Sequence, residues 1–462
     1  MKSSFTAIVM GACGLVVLLG ACSPVGKLTR PDLELPEVIA PGATDSATIA
    51  DVAWWTFYGD STLCRMIERA LAHNRTFASA IARVEAARQQ FKGVRADQWP
   101  KISATVGASR ETNDYYNERF INDPEYDLKA SLQWELDLWG KRRNAAKAAN
   151  ADYRATLDDM RAVQMELVAD VATAYYHLMA LDSELAIVRR TLVNRQEAVD
   201  KAKLRFEGGL TSELVYQQAI VEFAATADLV PLLESRIAAC ENALSTLMGE
   251  FPQREGHIER TAIAQAAMTT DSDLPLGLPA SLLARRPDIS ALAERMTAAA
   301  ARVGVAWANR LPTLGISITG GWENDDANRL ISSPFSLLAA SLTGPVFDFG
   351  SRKASQNKAV AEYEQARLAY EQGVLVAFRE AADALMNYRK SRQSRALKAQ
   401  SQRAAGKYLH LATLQYEGGT TNYMDVLDAQ RRNFSAQIDY SNALRDESLA
   451  LISLYKALGG GW

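Results

Sequence analysis

The sequence contains few of the residues that build enzyme and metal sites. Its 462 residues include four histidines and four cysteines. The histidines are scattered and none neighbours a cysteine pair, so no metal-ligand spacing exists. No loop gathers an acid, a base and a nucleophile. We therefore expect no enzymatic activity, no cofactor and no bound metal.

The sequence also has no excess of positively charged residues. The 51 Lys and Arg residues stand against 54 Asp and Glu residues, which gives a formal net charge of −3. Because binding to phosphate groups needs a clustered cationic surface, nucleic acid is not expected as a partner. The hydrophobic share of 48% is too high for a disordered chain. The sequence thus predicts a folded protein.

Long apolar runs are absent after the N-terminus, so no transmembrane helix is predicted. At the N-terminus, Lys2 precedes a short apolar run, which is typical of a secretory signal peptide over residues 1–21. The run ends in Gly20-Ala21-Cys22, which resembles the lipobox of bacterial lipoproteins and implies acylation of Cys22. An ordinary signal peptide with an incidental cysteine is the alternative. The two cysteines further along are expected to be free thiols rather than a disulfide.

The rest of the chain is two copies of one unit. Three segments recur in the same order about 210 positions later, namely 99–102 as 311–314, 137–142 as 348–352, and 204–211 as 414–421. In each copy a long proline-free segment, 138–206 or 350–416, is rich in helix-forming residues. A helix of that length is ~100 Å long, which indicates a coiled coil or a helical barrel. Shorter helices are predicted over 74–98, 212–248, 287–310 and 422–458.

Strand pairs are predicted within 101–136 and 312–348, where apolar and polar residues alternate. Each strand has the ~9–11 residues that a tilted strand needs to cross a bilayer. A pair of soluble hairpins is the alternative. Four strands cannot close a channel, so the membrane interpretation requires several copies, and three copies would supply 12 strands.

Several sequence motifs resemble those of a known protein family. They are Trp54-Trp55-x-Phe57-Tyr58-Gly59-Asp60, the segment 278–289 with Arg285-Arg286-Pro287-Asp288, the turn Tyr416-Glu417-Gly418-Gly419 followed by 425–430, and the C-terminal segment 457–462. Together they resemble the TolC-like outer-membrane efflux channels, in particular their lipoprotein (NodT-type) branch. The aromatic residues of 54–58 could also mark a membrane-interface belt or pack on the helices, and the arginine pair could form an anion site or open the next helix.

The resemblance implies a mainly α fold with transmembrane β-strands. A homotrimer would form a 12-stranded outer-membrane β-barrel, continued by a long periplasmic α-helical barrel. The predicted parts are a signal peptide (1–21), a lipidated N-terminal segment (22–73), a first repeat (74–250), a linker (251–286), a second repeat (287–458) and a tail (459–462).

The implied function is that of the exit duct of a tripartite efflux system, carrying small toxic compounds passively. Its partners would be a periplasmic adaptor, an inner-membrane transporter, driven by protons in most of this branch, and outer-membrane lipid. A type I secretion channel for proteins is one alternative. A periplasmic adaptor or structural coiled-coil lipoprotein is another, although the lipoyl-like β modules of adaptors are missing.

The resemblance also places functional residues. Adaptor hairpins would dock at the tips formed by Gly208, Gly209, Leu210 and Thr211 in the first repeat and by Gly418, Gly419, Thr420 and Thr421 in the second. Asp425 and Asp428 would line the closed periplasmic aperture, where mutual repulsion raises their proton affinity. A helix-dipole role for Asp425 and a solvated surface for Asp428 are the alternatives. Thr421 stands where the better-known member has an arginine, so that member's gate network is in doubt here.

Overall fold

The computed structural model describes residues 53–113, 121–252, 258–260 and 285–462. The predicted signal peptide and Cys22 lie outside them. The helices are α1 (Trp54–Tyr58), α2 (Ser61–His73), α3 (Arg75–Ala96), α4 (Lys141–Glu207), α5 (Glu213–Ala227), α6 (Leu229–Leu247), α7 (Pro287–Ala308), α8 (Ser351–Glu417) and α9 (Tyr423–Ala457). The strands are β1 (Lys101–Asn113), β2 (Ile121–Leu136), β3 (Thr313–Asn324) and β4 (Pro334–Thr343), with a 3₁₀ helix at Ala327–Ser332.

The chain divides into two compact units. Among the described residues, one unit contains Arg83–Leu157 and Ala291–Gln372, and it holds the sheet. The other contains the described parts of Glu34–Ala82, Asp158–Ser290 and Gly373–Trp462. This second unit holds the ends of the long helices that carry the two glycine turns.

The two long helices have the same length, as the sequence predicted. α4 and α8 each contain 67 residues, which corresponds to ~100 Å at the α-helical rise. The helix predicted over 212–248 is instead interrupted between α5 and α6. Pro231 lies in the first turn of α6, where its missing N–H costs nothing but its ring would clash with the carbonyl four residues earlier in a continuous helix. No such residue exists in the second repeat, and α9 is one helix of 35 residues.

The second unit has an aromatic core around the N-terminal helices. Phe57 stacks on Tyr455 with ring centroids 4.1 Å apart, and Trp54 and Tyr58 are buried. Asp60 caps α2 by accepting from the Thr62 N–H at 2.8 Å. These contacts favour packing over an interface belt as the role of the aromatic segment.

Cys64 and Cys240 are both free thiols, as expected from the sequence.

Arg286, one of the two arginines of the Arg285-Arg286 pair, is buried. Its guanidinium donates to both carboxylate oxygens of Asp288 at 3.1 and 2.8 Å and to Glu380 at 2.7 Å. The pair therefore opens α7 and is not a free anion site.

The sheet joins the two repeats through their hairpins. Its strand order is β1-β2-β3-β4, and all pairs are antiparallel. The register sets Leu132 opposite Ile102 on one side and opposite Ile318 on the other. Because side chains alternate along a strand, the even-numbered apolar residues of all four strands share one face. β1 and β2 are longer than the ~9–11 residues expected, with 13 and 16.

Two glycine-to-alanine variants test how closely the chain packs around the glycines that follow α6 and α4. Gly249 and Gly209 both have positive φ, at 73° and 68°. A Cβ at Gly249 would lie 2.2 Å from the backbone oxygen of His73, whereas one at Gly209 meets nothing within 4 Å. We expect Gly249→Ala to cost ~3 kcal/mol and Gly209→Ala only ~1 kcal/mol. Apparent melting temperatures measured by circular dichroism check this, and equal shifts would contradict it.

Candidate functional site

The two glycine turns end the long helices with the same hydrogen bonds. After α4, the Leu210 N–H donates to the Arg205 oxygen at 2.8 Å, and the Gly209 N–H donates to the Phe206 oxygen at 2.9 Å. After α8, Thr420 and Gly419 repeat this pattern at 2.9 and 3.0 Å. Both turns are Schellman motifs, in which a residue with left-handed φ closes the helix. Gly209 and Gly419 have φ of 68° and 73°, a backbone conformation that favours glycine at both positions.

The two helices that follow the turns begin differently. Each of these helices is preceded by polar residues that can cap a helix through their side-chain oxygens, Thr211 and Ser212 before α5 and Thr421 and Asn422 before α9. Asn422 does cap α9, since its side chain accepts from the Asp425 N–H at 3.1 Å. Ser212 occupies the cap position of α5, but its side chain makes no capping bond. The second turn is therefore fixed more firmly to the helix that follows it.

The surfaces of the two turns also differ in polarity. Leu210 and, in the first turn of α5, Leu214 expose most of their side chains. The corresponding part of the second turn carries Thr420 and Thr421, which are polar. The Thr421 hydroxyl donates to the Asp425 carboxylate, and the Thr420 hydroxyl donates to the Gln415 oxygen at 3.0 Å. Leu214 corresponds to Met424, which is also exposed. The two turns therefore differ at the tip, where Leu210 is apolar and Thr420 is polar.

Asp428 is held by two neighbours that sequence reasoning missed. Its carboxylate accepts from Arg432 Nε at 2.7 Å and from the Tyr408 hydroxyl at 3.3 Å. The Arg432 hydrogen bond holds the pKa of Asp428 below its usual range. In the single chain the shift is therefore opposite to the one that repulsion between aperture carboxylates would cause.

A second charged cluster joins helices of both repeats near the turns. The Glu222 carboxylate on α5 accepts from Arg195 of α4 at 2.5 Å and from Arg431 Nε of α9 at 2.8 Å. Arg195 is buried, and its guanidinium lies 5.8 Å from the centre of the Phe434 ring. Although burial raises the pKa of Glu222, the hydrogen bond from Arg431 and the charge of Arg195 bring it below its usual value. The carboxylate of Glu222 therefore remains charged and ties α9 to α4 and α5.

One of these ion pairs could have been predicted from residue spacing, and the other could not. Asp428 and Arg432 are four residues apart, a spacing that pairs opposite charges on a helix, so this ion pair could have been found. Glu222 and Arg431 are 209 positions apart, and only the fold brings them together.

Among the described residues, no group of three or more His, Cys, Asp and Glu side chains is placed to hold a metal ion. None of the helices in the described ranges is long and apolar enough to cross a membrane.

The Asp428–Arg432 pair predicts a pH dependence. A carboxylate with a lowered pKa stays charged above that pKa and loses its charge, and the ion pair, as pH falls through it. Arg432→Gln removes the cation, so the pKa of Asp428 should rise. If Asp428 lines a cation-attracting aperture, the acidic fall in potassium conductance should move to higher pH in this variant. An unchanged titration midpoint in planar bilayers would contradict the assignment.

Three comparisons relate the chain to known proteins. The family model described as outer membrane efflux protein matches residues 66–250 and 278–460. The chain is 32% identical to outer membrane protein OprJ of Pseudomonas aeruginosa over 97% of this chain and 95% of that protein. It is 28% identical to the cation efflux system protein CusC of Escherichia coli O6:H1, covering 97% and 98% of the two chains. It is 29% identical to a Salmonella typhimurium protein named "Probable outer membrane lipoprotein SilC", covering 97% of each.

Two solved structures of outer-membrane channels superpose on this chain. The structure of the outer-membrane channel OprN superposes with a TM-score of 0.85 at 28% identity, over 94% of this chain and 99% of that one. A crystal structure of CusC superposes with a TM-score of 0.83 at 27% identity, over 94% and 99% of the two chains. The fold described above is therefore shared with these two solved structures.

Proposed function

The chain belongs to the outer membrane efflux protein family, and we propose that three copies of it form the exit duct of a tripartite efflux pump. As a family member it is an outer-membrane component of an efflux system and not an enzyme. The adaptor alternative raised from the sequence is therefore set aside. In this assembly the three four-stranded sheets would close one 12-stranded barrel, continued by the long helices through the periplasm.

The observation that carries this proposal is the set of surfaces left open in one copy. Within the described sheet, β1 and β4 are edge strands, with one neighbour each. Open strand edges cannot face lipid, because their N–H and C=O groups would be unsatisfied. Closing the sheet with identical copies removes every edge.

Exposed apolar residues on the helices support the same assembly. On α8, Leu375, Met386 and Leu397 are exposed at intervals of 11 residues, as are Val193 and Leu204 on α4. Eleven residues make three helical turns, so each series follows one side of its helix. A soluble helix normally hides such a stripe. A second copy of this chain is the occupant that we propose, because the stripes have similar spacing in both repeats.

The glycine turns are the proposed docking points for a periplasmic adaptor, which would in turn contact an inner-membrane transporter. The eight residues concerned are Gly208, Gly209, Leu210, Thr211, Gly418, Gly419, Thr420 and Thr421. Their support is the matched Schellman geometry of both turns and their exposed surfaces. Because Leu210 is apolar and Thr420 is polar, we expect the two turns to contact different parts of the adaptor.

A proline variant tests the docking. Gly418→Pro with Gly419→Pro removes the left-handed φ of 73° at Gly419, which proline cannot adopt. We expect adaptor cross-linking to fall ~10-fold while trimers still assemble, since the change is confined to one exposed turn. Gly93→Ala, at a helical glycine with open space around it, is the control. Adaptor cross-linking at the unaltered level in the proline variant would reject the docking role.

At the aperture, we propose that Asp425 and Asp428 face the narrow periplasmic opening. Threefold symmetry would gather six carboxylates there, and the Arg432 partners would balance three of them. The ring would therefore attract cations less strongly than six unpaired carboxylates. Glu222 would hold the opening narrow by tying α9 to the first repeat.

Lipid anchoring through Cys22 is part of the proposal. Its support is the small-residue sequence before this cysteine and the similarity to a protein named as a lipoprotein. Acyl chains would keep the N-terminal segment at the outer membrane, because each buried methylene contributes ~0.8 kcal/mol.

The cargo that we propose is small toxic compounds, supplied by a proton-driven transporter. One relative is named as a cation efflux protein, so metal cations are the second candidate. An accumulation assay tests the function in the native host. Deleting the reading frame should raise retention of ethidium if organic compounds are exported, and of copper or silver ions if metals are. Unchanged retention of both classes would overturn the efflux assignment.

A further inference from the structure

The single chain leaves the two open edges of the sheet without a partner strand. β1 and β4 each have a neighbour on one side only within the described sheet. If copies of the chain close a barrel, as proposed above, β4 of one copy must meet β1 of the next. The register of that junction determines which side chains meet, and the internal duplication supplies a template for it.

The template is the junction between the repeats inside one chain. The sequence repeat relates β1 to β3 by 212 positions, taking Lys101 to Thr313. Within the hairpins, Lys101 lies opposite Gln133 and Thr313 lies opposite Thr343. The same duplication therefore relates β2 to β4 by 210 positions. The spacing of Gly140 and Gly350, which precede the long helices, gives the same 210 independently. The β4–β1 junction between copies is thus equivalent to the β2–β3 junction within one.

We propose that β4 pairs antiparallel with β1 of the next copy in the register that β2 and β3 use. In that register Leu132 lies opposite Ile318. Moving Leu132 forward by 210 positions and Ile318 back by 212 gives Leu342 opposite Val106 of the next copy. The next pair on the same face, Trp134 and Ile316, becomes Gly344 opposite Ala104. The pair after it, Leu136 and Leu314, becomes Val346 opposite Ile102, just beyond the end of β4.

The exposed side chains fit this register. Leu342 is 67% exposed and Val106 is 78% exposed. Val346 and Ile102 are 99% and 77% exposed. These four large aliphatic residues lie along the two open edges, and the transferred register sets them opposite each other in two pairs. A slip by one residue would place Leu342 opposite a residue of the polar face, which makes odd slips unfavourable. Slips of two residues, with Leu342 opposite Ala104 or Ala108, keep the faces aligned but leave Val106 without this partner.

Cysteine cross-linking in native outer membranes tests the register. The full chain is used with Cys64→Ser and Cys240→Ser, so that the introduced pairs are the only cysteines besides Cys22 and Cys13, which lies in the predicted signal peptide. Leu342→Cys is combined in turn with Val106→Cys, Ala104→Cys and Ala108→Cys, and each variant is treated with a short bifunctional thiosulfonate. Directly opposite residues have Cβ atoms ~5 Å apart and diagonal ones ~7–8 Å apart. Separate single-cysteine variants measure background.

The Val106→Cys combination should give dimer and trimer bands on a denaturing gel at about five times the yield of the other two. Higher yield with Ala104→Cys or Ala108→Cys, in protein that is trimeric on a native gel, would overturn the register and leave the proposed assembly standing. Failure of all three pairs in protein that is monomeric on the native gel would overturn the assembly itself.

Discussion

Glu222→Ala is expected to increase single-channel conductance severalfold, because it releases α9 from the first repeat near the turns. The Glu222 side chain is 13% exposed and binds Arg195, whose side chain is 8% exposed. Without the carboxylate, Arg195 would be a buried cation lacking its partner, which costs ~3–5 kcal/mol when a buried pair is broken. That cost disfavours the present arrangement of α4, α5 and α9. Recordings in planar bilayers, made on trimeric protein, measure the effect.

Two further variants make this result interpretable. Glu166→Ala removes an ion pair with Lys456 at a side chain that is 52% exposed, so its conductance should stay at the wild-type level. Arg431→Gln releases α9 but leaves Arg195 paired with Glu222, and it should widen the opening with a smaller loss of stability. Wild-type conductance in trimers of both Glu222→Ala and Arg431→Gln would reject the role of this cluster.

Leu397→Asp is expected to abolish most trimer assembly. Leu397 is 60% exposed in the single chain and lies in the proposed contact stripe of α8. Burying an unpaired carboxylate there costs at least ~3 kcal/mol per junction, or about a hundredfold in the association constant. Mass photometry in detergent measures the share of monomer and trimer.

Ala396→Asp is the matched control for assembly. Ala396 is also exposed, but it is turned by about 100° around the helix from Leu397. The same charge introduced there should leave trimers largely intact. Equal loss of trimer in both variants would mean that added charge, and not the stripe, decides assembly.

Much of the fold could be predicted because it follows from local patterns. The long helices are read from proline-free segments with regular apolar spacing, and α4 and α8 begin and end within three residues of the predicted limits. The strand pairs follow from alternation of polar and apolar residues. The break between α5 and α6 was not predicted, because the residues on both sides of Pro231 keep a helical pattern and one proline is compatible with the first turn of a new helix.

The candidate site was less predictable, because its ties connect distant parts of the chain. The glycine turns and Asn422 act on neighbours a few residues away, and local rules describe them. The partnership of Glu222 with Arg431 depends on how α5 and α9 pack, which no spacing in the sequence reveals. Asp428 lies between these cases. Its ion pair with Arg432 can be predicted from their spacing of four residues, whereas its hydrogen bond from Tyr408, on α8, cannot.

Whether three copies form a passive duct can be tested by recording from the purified wild-type protein in planar lipid bilayers while measuring its mass in the same detergent. We predict a particle of three copies that inserts and conducts in discrete, ohmic steps without any energy source. A stable single copy that inserts no conducting unit would contradict it.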